Sequence, residues 1–388
     1  MKKMKILFLQ TFPFYGSGSG TYVRYLAKEL NKTHRVAVLA PDTRPINGVK
    51  IYTLKLPFHP VLVAHPEWKD GILYENLTNS QILKLHETMM SETVNVVEDF
   101  KPDIIHVQHA FPLSWSARFV KMTYQIPYVI TGHGSELPIA QKDKRYRLLT
   151  ADALRGAFQI MPNSTYTKDW MFRVFGEEYR KQMRVIPGGV DVNRFKKVSA
   201  SKIDKELNLK GKKVVLFAGR LTSYKGVKYL VKAAKRINGE ILISGDGPER
   251  KNLEEMIKKE HIKNVRILGH LGDDTDYLIQ LYSRANVFVA PSIWDEPLGL
   301  VILESMACET PVVVTRKGGI PLAVKDGKNG FFVKARNATD IALKLNKLLE
   351  NEGMRIKMGK NARKIAIDRF SWEKISLKFS HIYEKALS

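Results

Sequence analysis

Short apolar runs alternate with amphipathic helical stretches along most of the chain. Lys5–Leu9 has the look of a buried strand, and Thr21–Asn31 carries Val23, Leu26, Ala27 and Leu30 on one helical face. His34–Ala40 and Val49–Leu56 read as further strands, and Gln81–Phe100 as a long amphipathic helix. Asp103–Val107 and Tyr128–Thr131 are apolar runs, each preceded by a proline, and Gln159–Met161 and Arg184–Ile186 read as short strands. Strands alternating with helices predict an α/β fold with a parallel, doubly wound sheet.

The alternation pauses at Pro187–Phe195, where Gly188 and Gly189 precede a Lys/Ser-rich stretch reaching Lys202. It restarts with strands at Lys213–Ala218, Glu240–Ser244, Val265–Leu268, Val287–Ala290, Pro311–Thr315 and Gly330–Val333. Helical patterns at Val227–Arg236, Glu249–Lys259, Thr275–Ser283 and Leu298–Ala307 lie between them, and two helices follow at the C-terminus. The pattern therefore predicts two Rossmann-like domains, residues 1–195 and 196–370, with residues 371–388 a helix packing back toward the first. In such sheets ligands sit beyond the carboxyl ends of the strands, which places the expected site in the cleft between facing domains.

A chain of 388 residues is long enough for two such cores. Its single cysteine, Cys308, lies in an apolar helix, which excludes a disulfide framework or cysteine metal cluster and fits a reducing, cytoplasmic setting. The lysine-led N-terminus has too short an apolar run, Ile6–Leu9, for a signal peptide, and no segment has the ~18 apolar residues a membrane span needs. The net charge is +24, with basic over acidic residues 28 to 17 in residues 1–200 and 35 to 22 beyond. A nucleic-acid surface, an anionic membrane surface and adaptation to a hot or salty cell all fit that dispersed surplus. The interleaved Lys/Glu pattern of Arg250–Lys259 favours solvated helix faces for most of it.

The most informative stretch is Pro291–Val313, PSIWDEPLGLVILESMACETPVV. A strand runs into a turn holding Glu296, and a helix opens on Leu298-Gly299-Leu300 with Glu304 inside it. Helical spacing is expected to bring the two carboxylates to one side, beside helix-start amides that favour anions. Carboxylates for sugar hydroxyls beside amides for a diphosphate suggest a nucleotide-sugar site. A second motif, Phe217–Gly226 (FAGRLTSYKG), ends a strand in Arg220 and places Lys225 before a helix; a planar fork and a mobile ammonium suit a diphosphate. A third, Thr131–Glu136 (TGHGSE), puts His133 at a strand's carboxyl end. The fourth is the loop Gly16–Gly20 (GSGSG) between the first strand and helix; glycines there let amides turn toward an anion.

Together these motifs resemble glycosyltransferase family 4, whose members have the GT-B fold, and the resemblance covers most of the chain. It implies a retaining, metal-independent enzyme that uses a nucleotide sugar as co-substrate, with no cofactor and no metal site. It implies that Glu296 contacts the donor sugar and Glu304 the nucleotide ribose. Amides of Leu298, Gly299 and Leu300 would approach sugar and phosphate, and Arg220 and Lys225 would hold the diphosphate. His133 would orient the reacting centre, Gly16 and Gly18 would lie beside the donor phosphates, and the segment Ile267–His270, with Gly269, would face the base. The N-terminal domain would bind the acceptor, which the sequence leaves open among a sugar, a small polyol and a lipid-linked molecule. The loop Pro57–Asn79, with His65, Pro66 and Trp68, is a candidate for the acceptor side. The basic run Lys142–Arg147 is a candidate for an anionic acceptor or for peripheral contact with an anionic inner-membrane surface.

Lesser matches are Ser244–Pro248 (SGDGP), Ile186–Asp191 (IPGGVD, with Gly188 in place of the family's asparagine) and Lys317–Pro321 (KGGIP). Leu322 stands where a glutamate is common, and Glu309 where a glycine is usual. No D-x-D, no G-x-S-x-G and no full Walker motif is present. A nucleotide-sugar epimerase or phosphorylase of the same fold is the enzymatic alternative. A basic nucleic-acid-binding protein would fit the charge but none of the four motifs, so no nucleic-acid partner is expected.

Overall fold

The computed structural model describes residues 3–62, 70–271 and 275–388. The chain divides into two compact units, one of Met1–Gly188 with Trp372–Ser388 and the other of Gly189–Ser371.

The first unit is built on a six-stranded parallel sheet in the order β3-β2-β1-β6-β7-β8. Its strands are β1 (Lys5–Leu9), β2 (Arg35–Ala40), β3 (Lys50–Thr53), β6 (Ile104–Gln108), β7 (Tyr128–Gly132) and β8 (Gln159–Pro162). Two short paired strands, β4 (Pro60–Val61) and β5 (Ile72–Leu73), lie on either side in sequence of His65, Pro66 and Trp68. Those three residues lie outside the described residues. Strands β1, β6 and β7 are almost wholly buried, which is why they read as unbroken apolar runs rather than alternating ones. The helix after β1 spans Gly18–Leu30, a turn earlier than its apolar face predicts, because the Ser17 side chain accepts the Gly20 N–H at 3.1 Å and caps it. Helix Asn79–Phe100 likewise begins early, on a capping box between Thr78 and Gln81. Helices Leu113–Tyr124, Arg147–Gly156 and Thr165–Phe175 complete the alternation. Arg184–Ile186 is not a strand; Arg184 and Ile186 each donate one backbone hydrogen bond to the edge of β8 and the chain turns away.

The second unit repeats the plan with a parallel sheet ordered β11-β10-β9-β12-β13-β14. Its strands are β9 (Val214–Ala218), β10 (Glu240–Ser244), β11 (Val265–Gly269), β12 (Val287–Ala290), β13 (Val312–Thr315) and β14 (Gly330–Val333). Strand order reverses between β9 and β12, so this neighbouring pair forms the sheet's switch point.

The boundaries differ from the sequence reading in two places. Residues 189–195 belong to the second unit: the Val190 N–H donates to the Phe370 carbonyl at 2.7 Å, and Val190 and Phe195 are buried in that unit's core. The chain ends in three long helices rather than two, Ala338–Glu350, Glu352–Phe370 and Trp372–Leu387. Asn351 separates the first pair by capping the second helix through its side chain. The last helix belongs to the first unit. Its Trp372, Ile375, Phe379, Ile382 and Tyr383 are buried with Tyr22, Val23 and Leu26 of helix Gly18–Leu30, and Tyr383 Oη lies 2.7 Å from His106 Nδ1 on β6. Among the described residues no helix is long and apolar enough to cross a membrane.

Candidate functional site

In the second unit the loops that leave the carboxyl ends of β9 and β12 are knitted together. After β9 the chain passes through Gly219 and half-buried Arg220 into a short 3-10 turn, Ser223–Lys225, and Gly226 then opens the next helix. Gly226 has φ +71°, and a Cβ there would stand 2.1 Å from the Pro291 carbonyl oxygen. Only glycine lets the two loops approach so closely. The Tyr224 carbonyl accepts N–H groups of Ile293 and Trp294 at 2.8 and 3.3 Å, which fixes the second loop against the first.

This seam delivers Lys225 to Glu296. Lys225 Nζ lies 2.5 Å from Glu296 Oε1, and the Ser292 hydroxyl donates to the same oxygen at 2.8 Å. Glu296 is only 8% exposed, so its contact with Lys225 is a largely buried, charge-assisted pair. The loop after β13 closes the far side of this turn. Gly319 N–H donates to the Glu296 carbonyl at 2.7 Å, Gly318 N–H donates to Asp295 Oδ1 at 3.0 Å, and Lys317 Nζ is 3.7 Å from Asp295 Oδ1. A Cβ on Gly318 would stand 2.1 Å from the Glu296 carbonyl oxygen. The Lys-Gly-Gly-Ile-Pro motif therefore holds the acidic turn in place. Ser292 and Asp295, which motif reading passed over, are the side chains through which the turn is held.

Helix Leu300–Ala307 starts later than Leu298. Gly299, at φ +80°, is its N-cap, and Leu298 is buried in the turn before it. Glu296 is thus outside the helix, and helical periodicity does not set its position relative to Glu304. The two carboxylates have separate partners. Glu304 Oε2 accepts from Tyr282 Oη at 2.9 Å, whose phenol is raised well above its usual pKa by burial and by the adjacent carboxylate. Gly269 ends β11 with φ +78°, and its carbonyl accepts the Gly245 N–H at 2.8 Å, linking the loops after β10 and β11. Asp246 in the first of these loops is held below the usual carboxylate range by the Gly247 N–H and the Arg250 guanidinium. Cys308, buried one turn beyond Glu304, has its thiol pushed up to about 12 by burial, which makes it chemically inert.

His133, Gly16 and Gly18 belong to the first unit. His133 follows β7 and is 7% exposed. Its backbone N–H donates to Glu136 Oε1 at 3.1 Å, its carbonyl accepts from Asn163 Nδ2 at 3.1 Å, and its Nε2 lies 2.9 Å from Gln108 Oε1. Burial, then the neighbouring His109 and His106, pushes its pKa well below the ordinary value, so it stands as a neutral imidazole. Glu136 Oε1 also accepts the Ala110 N–H at 3.2 Å, so one carboxylate ties together the loops after β6 and β7. Gln108, Glu136 and Asn163 come from scattered stretches with no spacing to announce them. Among the described residues no group of three His, Cys, Asp or Glu could hold a metal ion.

Two family descriptions match the chain one after the other: Glycosyltransferase Family 4 over residues 16–194 and Glycosyl transferases group 1 over residues 199–365. The chain is 28% identical to an uncharacterised glycosyltransferase of Methanocaldococcus jannaschii, with 95% of each protein covered. It is 26% identical to a D-inositol 3-phosphate glycosyltransferase of Corynebacterium jeikeium, covering 99% of this chain and 96% of that one. The solved structure of a sucrose-phosphate synthase from Thermosynechococcus elongatus matches with a TM-score of 0.79 at 23% identity, over 99% of both chains. That last likeness concerns the fold.

Proposed function

Because this chain belongs to glycosyltransferase family 4 and has the GT-B fold, we propose that it moves a sugar from a nucleotide-diphosphate donor to an acceptor hydroxyl, with retention at the anomeric carbon and without a metal. The observation that carries this reading is the Lys225–Glu296 pair at the β9/β12 switch point, 2.5 Å apart and largely shielded from water. On donor binding the ammonium exchanges its carboxylate partner for a diphosphate oxygen. Glu296 is thereby released to accept hydrogen bonds from the donor sugar. Arg220 adds a planar fork to the same diphosphate, and amides of Leu298, Gly299 and Leu300 face it from the helix start. Together they stabilise charge developing on the leaving group, the role a metal would otherwise play.

Glu304, held by Tyr282, takes the ribose, and Gly269 lies on the segment that faces the base. His133, neutral and pinned on three sides, orients the reacting sugar by hydrogen bonding rather than by charge, while Gly16 and Gly18 shape the loop beside the donor phosphates. No side chain is assigned as a nucleophile, so the leaving phosphate itself takes the acceptor proton on the same face.

Calorimetric titration with UDP, GDP and ADP, in buffer with EDTA, tests the donor site. One nucleotide should bind saturably, and Glu304→Ala should weaken it by about tenfold or more, as loss of a hydrogen bond to a charged group does. Absence of binding by all of them would reduce the reading to a likeness of fold. Once donor and acceptor are known, the anomeric configuration of the product, read by NMR, decides retention.

A further inference from the structure

A cationic cluster lies beside the glycine loop of the first unit. The Tyr15 ring, immediately before Gly16, has two guanidinium groups against it: Arg24 Cζ at 3.9 Å from the ring centroid and Arg44 Cζ at 4.0 Å. Asp42 offers a carboxylate to Arg44. It is committed to Arg44 by bonds from Nε at 3.0 Å and Nη2 at 2.7 Å, and to the loop by accepting the Phe14 N–H at 2.8 Å. Burial alone would raise the Asp42 carboxyl; the Arg44 and Phe14 hydrogen bonds outweigh it and hold the group below its ordinary range.

Arg24 is different. It lies on helix Gly18–Leu30 and is half-buried, with Nε shielded from solvent and without a hydrogen-bond partner among the described residues. A guanidinium is costly to desolvate without an acceptor, and its fork matches the oxygens of phosphate or carboxylate. Stacking on tyrosine holds it in place but leaves its in-plane donors available. At the start of the same helix a Cβ built on Gly18 would meet nothing within 4 Å, so the backbone there is open.

We propose that Arg24, with Arg44 fixed beside it on Tyr15, takes the anionic group of the acceptor, a phosphate or carboxylate. The acceptor is then an anionic molecule that also presents the hydroxyl to be glycosylated. This assignment rests on the transferase reading above and narrows it from any hydroxyl compound to an oxyanion-bearing one. Asp42 serves as a positioning residue that keeps Arg44 on the ring.

The test is calorimetry on the full chain with glucose 6-phosphate, glucose and malate, repeated with Arg24→Gln and Arg24→Lys, each variant also titrated with UDP, GDP and ADP. Wild type is expected to bind glucose 6-phosphate or malate but not glucose. Arg24→Gln should weaken that binding at least tenfold and Arg24→Lys less, with nucleotide affinity unchanged. A parallel arm measures sedimentation with phosphatidylcholine vesicles containing phosphatidic acid. Retention that Arg24→Gln abolishes would support the same oxyanion chemistry with a membrane-borne source. If neither the soluble anions nor the vesicles bind, or if Arg24→Gln leaves their binding unaltered, the assignment is overturned. Nucleotide binding in the same samples separates that failure from a failure of the donor site.

Discussion

The two sheets share a topology, yet the groups gathered at their carboxyl ends follow opposite electrostatic designs. In the second unit charges answer one another: Lys225 with Glu296, Lys317 with Asp295, Arg250 with Asp246. In the first, buried polar groups collect beyond β1, β6 and β7, while the Arg44–Asp42 ion pair stands beyond β2. Gln10, Thr11, Gln108 and His109 are almost wholly buried, and the Gln10 amide, the Thr11 hydroxyl, Gln108 Nε2, both His109 nitrogens and Glu136 Oε2 have no hydrogen-bond partner among the described residues. Paired charges suit a ligand that carries a fixed diphosphate, because the pairs can be exchanged for it. Neutral donors and acceptors suit a sugar, whose hydroxyls need direction rather than charge. The same scaffold therefore hosts one site built on exchangeable ion pairs and, beyond β1, β6 and β7, one built on hydrogen-bond geometry, with the Arg24 and Arg44 cluster beside it for an anionic group.

The sharpest way to separate the two designs is acid. Every described histidine with a lowered pKa lies in the first unit: His34, His86, His106, His109 and His133. For His106, bonded to Tyr383 and Thr131, burial pushes the value down to about 3. A histidine held neutral in the fold costs nothing above its unfolded pKa. Below it, the unfolded chain gains protons that the folded one refuses, so stability falls as pH falls. With His106, His109 and His133 all held below their ordinary range by burial, stability is expected to fall as pH drops below about 6. Carboxylates whose pKa is lowered, Asp42, Asp99 and Asp143 in the first unit and Glu240 and Asp246 in the second, give up their stabilisation only below their own ordinary range near pH ~4. Hydrogen exchange followed by mass spectrometry between pH 6.5 and 4.5 should therefore show β1, β6 and β7 opening while β9 and β12 stay protected. Equal loss of protection in both sheets would remove the electrostatic contrast.

The next largest effect addresses the charged site. Lys225→Ala should lower kcat by about 100-fold or more, in the range seen when a preorganised donor to a transition-state charge is removed. Nucleotide affinity should change far less, because the Arg220 fork and the helix-start amides are untouched. A variant that keeps near-normal turnover would detach Lys225 from the chemistry and leave its pair with Glu296 a structural one.

How much of this was legible depended on whether the relevant residues were neighbours in sequence. The strand Lys5–Leu9 has the limits its apolar run predicts, and Glu240–Ser244, Val287–Ala290 and Gly330–Val333 do likewise, since buried parallel strands write themselves as continuous runs. Helix starts were misplaced wherever a cap lay outside the apolar face, as with Ser17 and Thr78, or where a left-handed glycine delayed the helix, as with Gly299. Lys225 and Glu296 were visible as parts of separate motifs, but their pairing was not, because it depends on the contact between Gly226 and Pro291. Glu136 was noticed only as a motif letter. That it binds the N–H groups of both His133 and Ala110 required the β6–β7 register, which no local pattern encodes. The stacking of Arg24 and Arg44 on Tyr15 lay equally beyond reach, since it joins a loop, a helix and the turn after β2.

The smallest effect is also the most discriminating within the charged site. Tyr282 is fully buried on helix Thr275–Arg284, and its hydroxyl is the donor that holds Glu304. Tyr282→Phe keeps the ring in its core and removes only that bond. A hydrogen bond to a partly exposed carboxylate contributes about 1 kcal/mol, so the melting temperature should drop by only a few degrees. If Glu304 grips the ribose and Tyr282 orients it, nucleotide affinity falls about fivefold, the equivalent of that same energy, and kcat at saturating donor stays put. The double variant Tyr282→Phe with Glu304→Ala should then bind nucleotide no worse than Glu304→Ala alone, since the phenol acts through the carboxylate. Additive losses would mean that Tyr282 supports the nucleotide by a route other than Glu304, and the charged site would then depend on its core packing as well as on its paired ions.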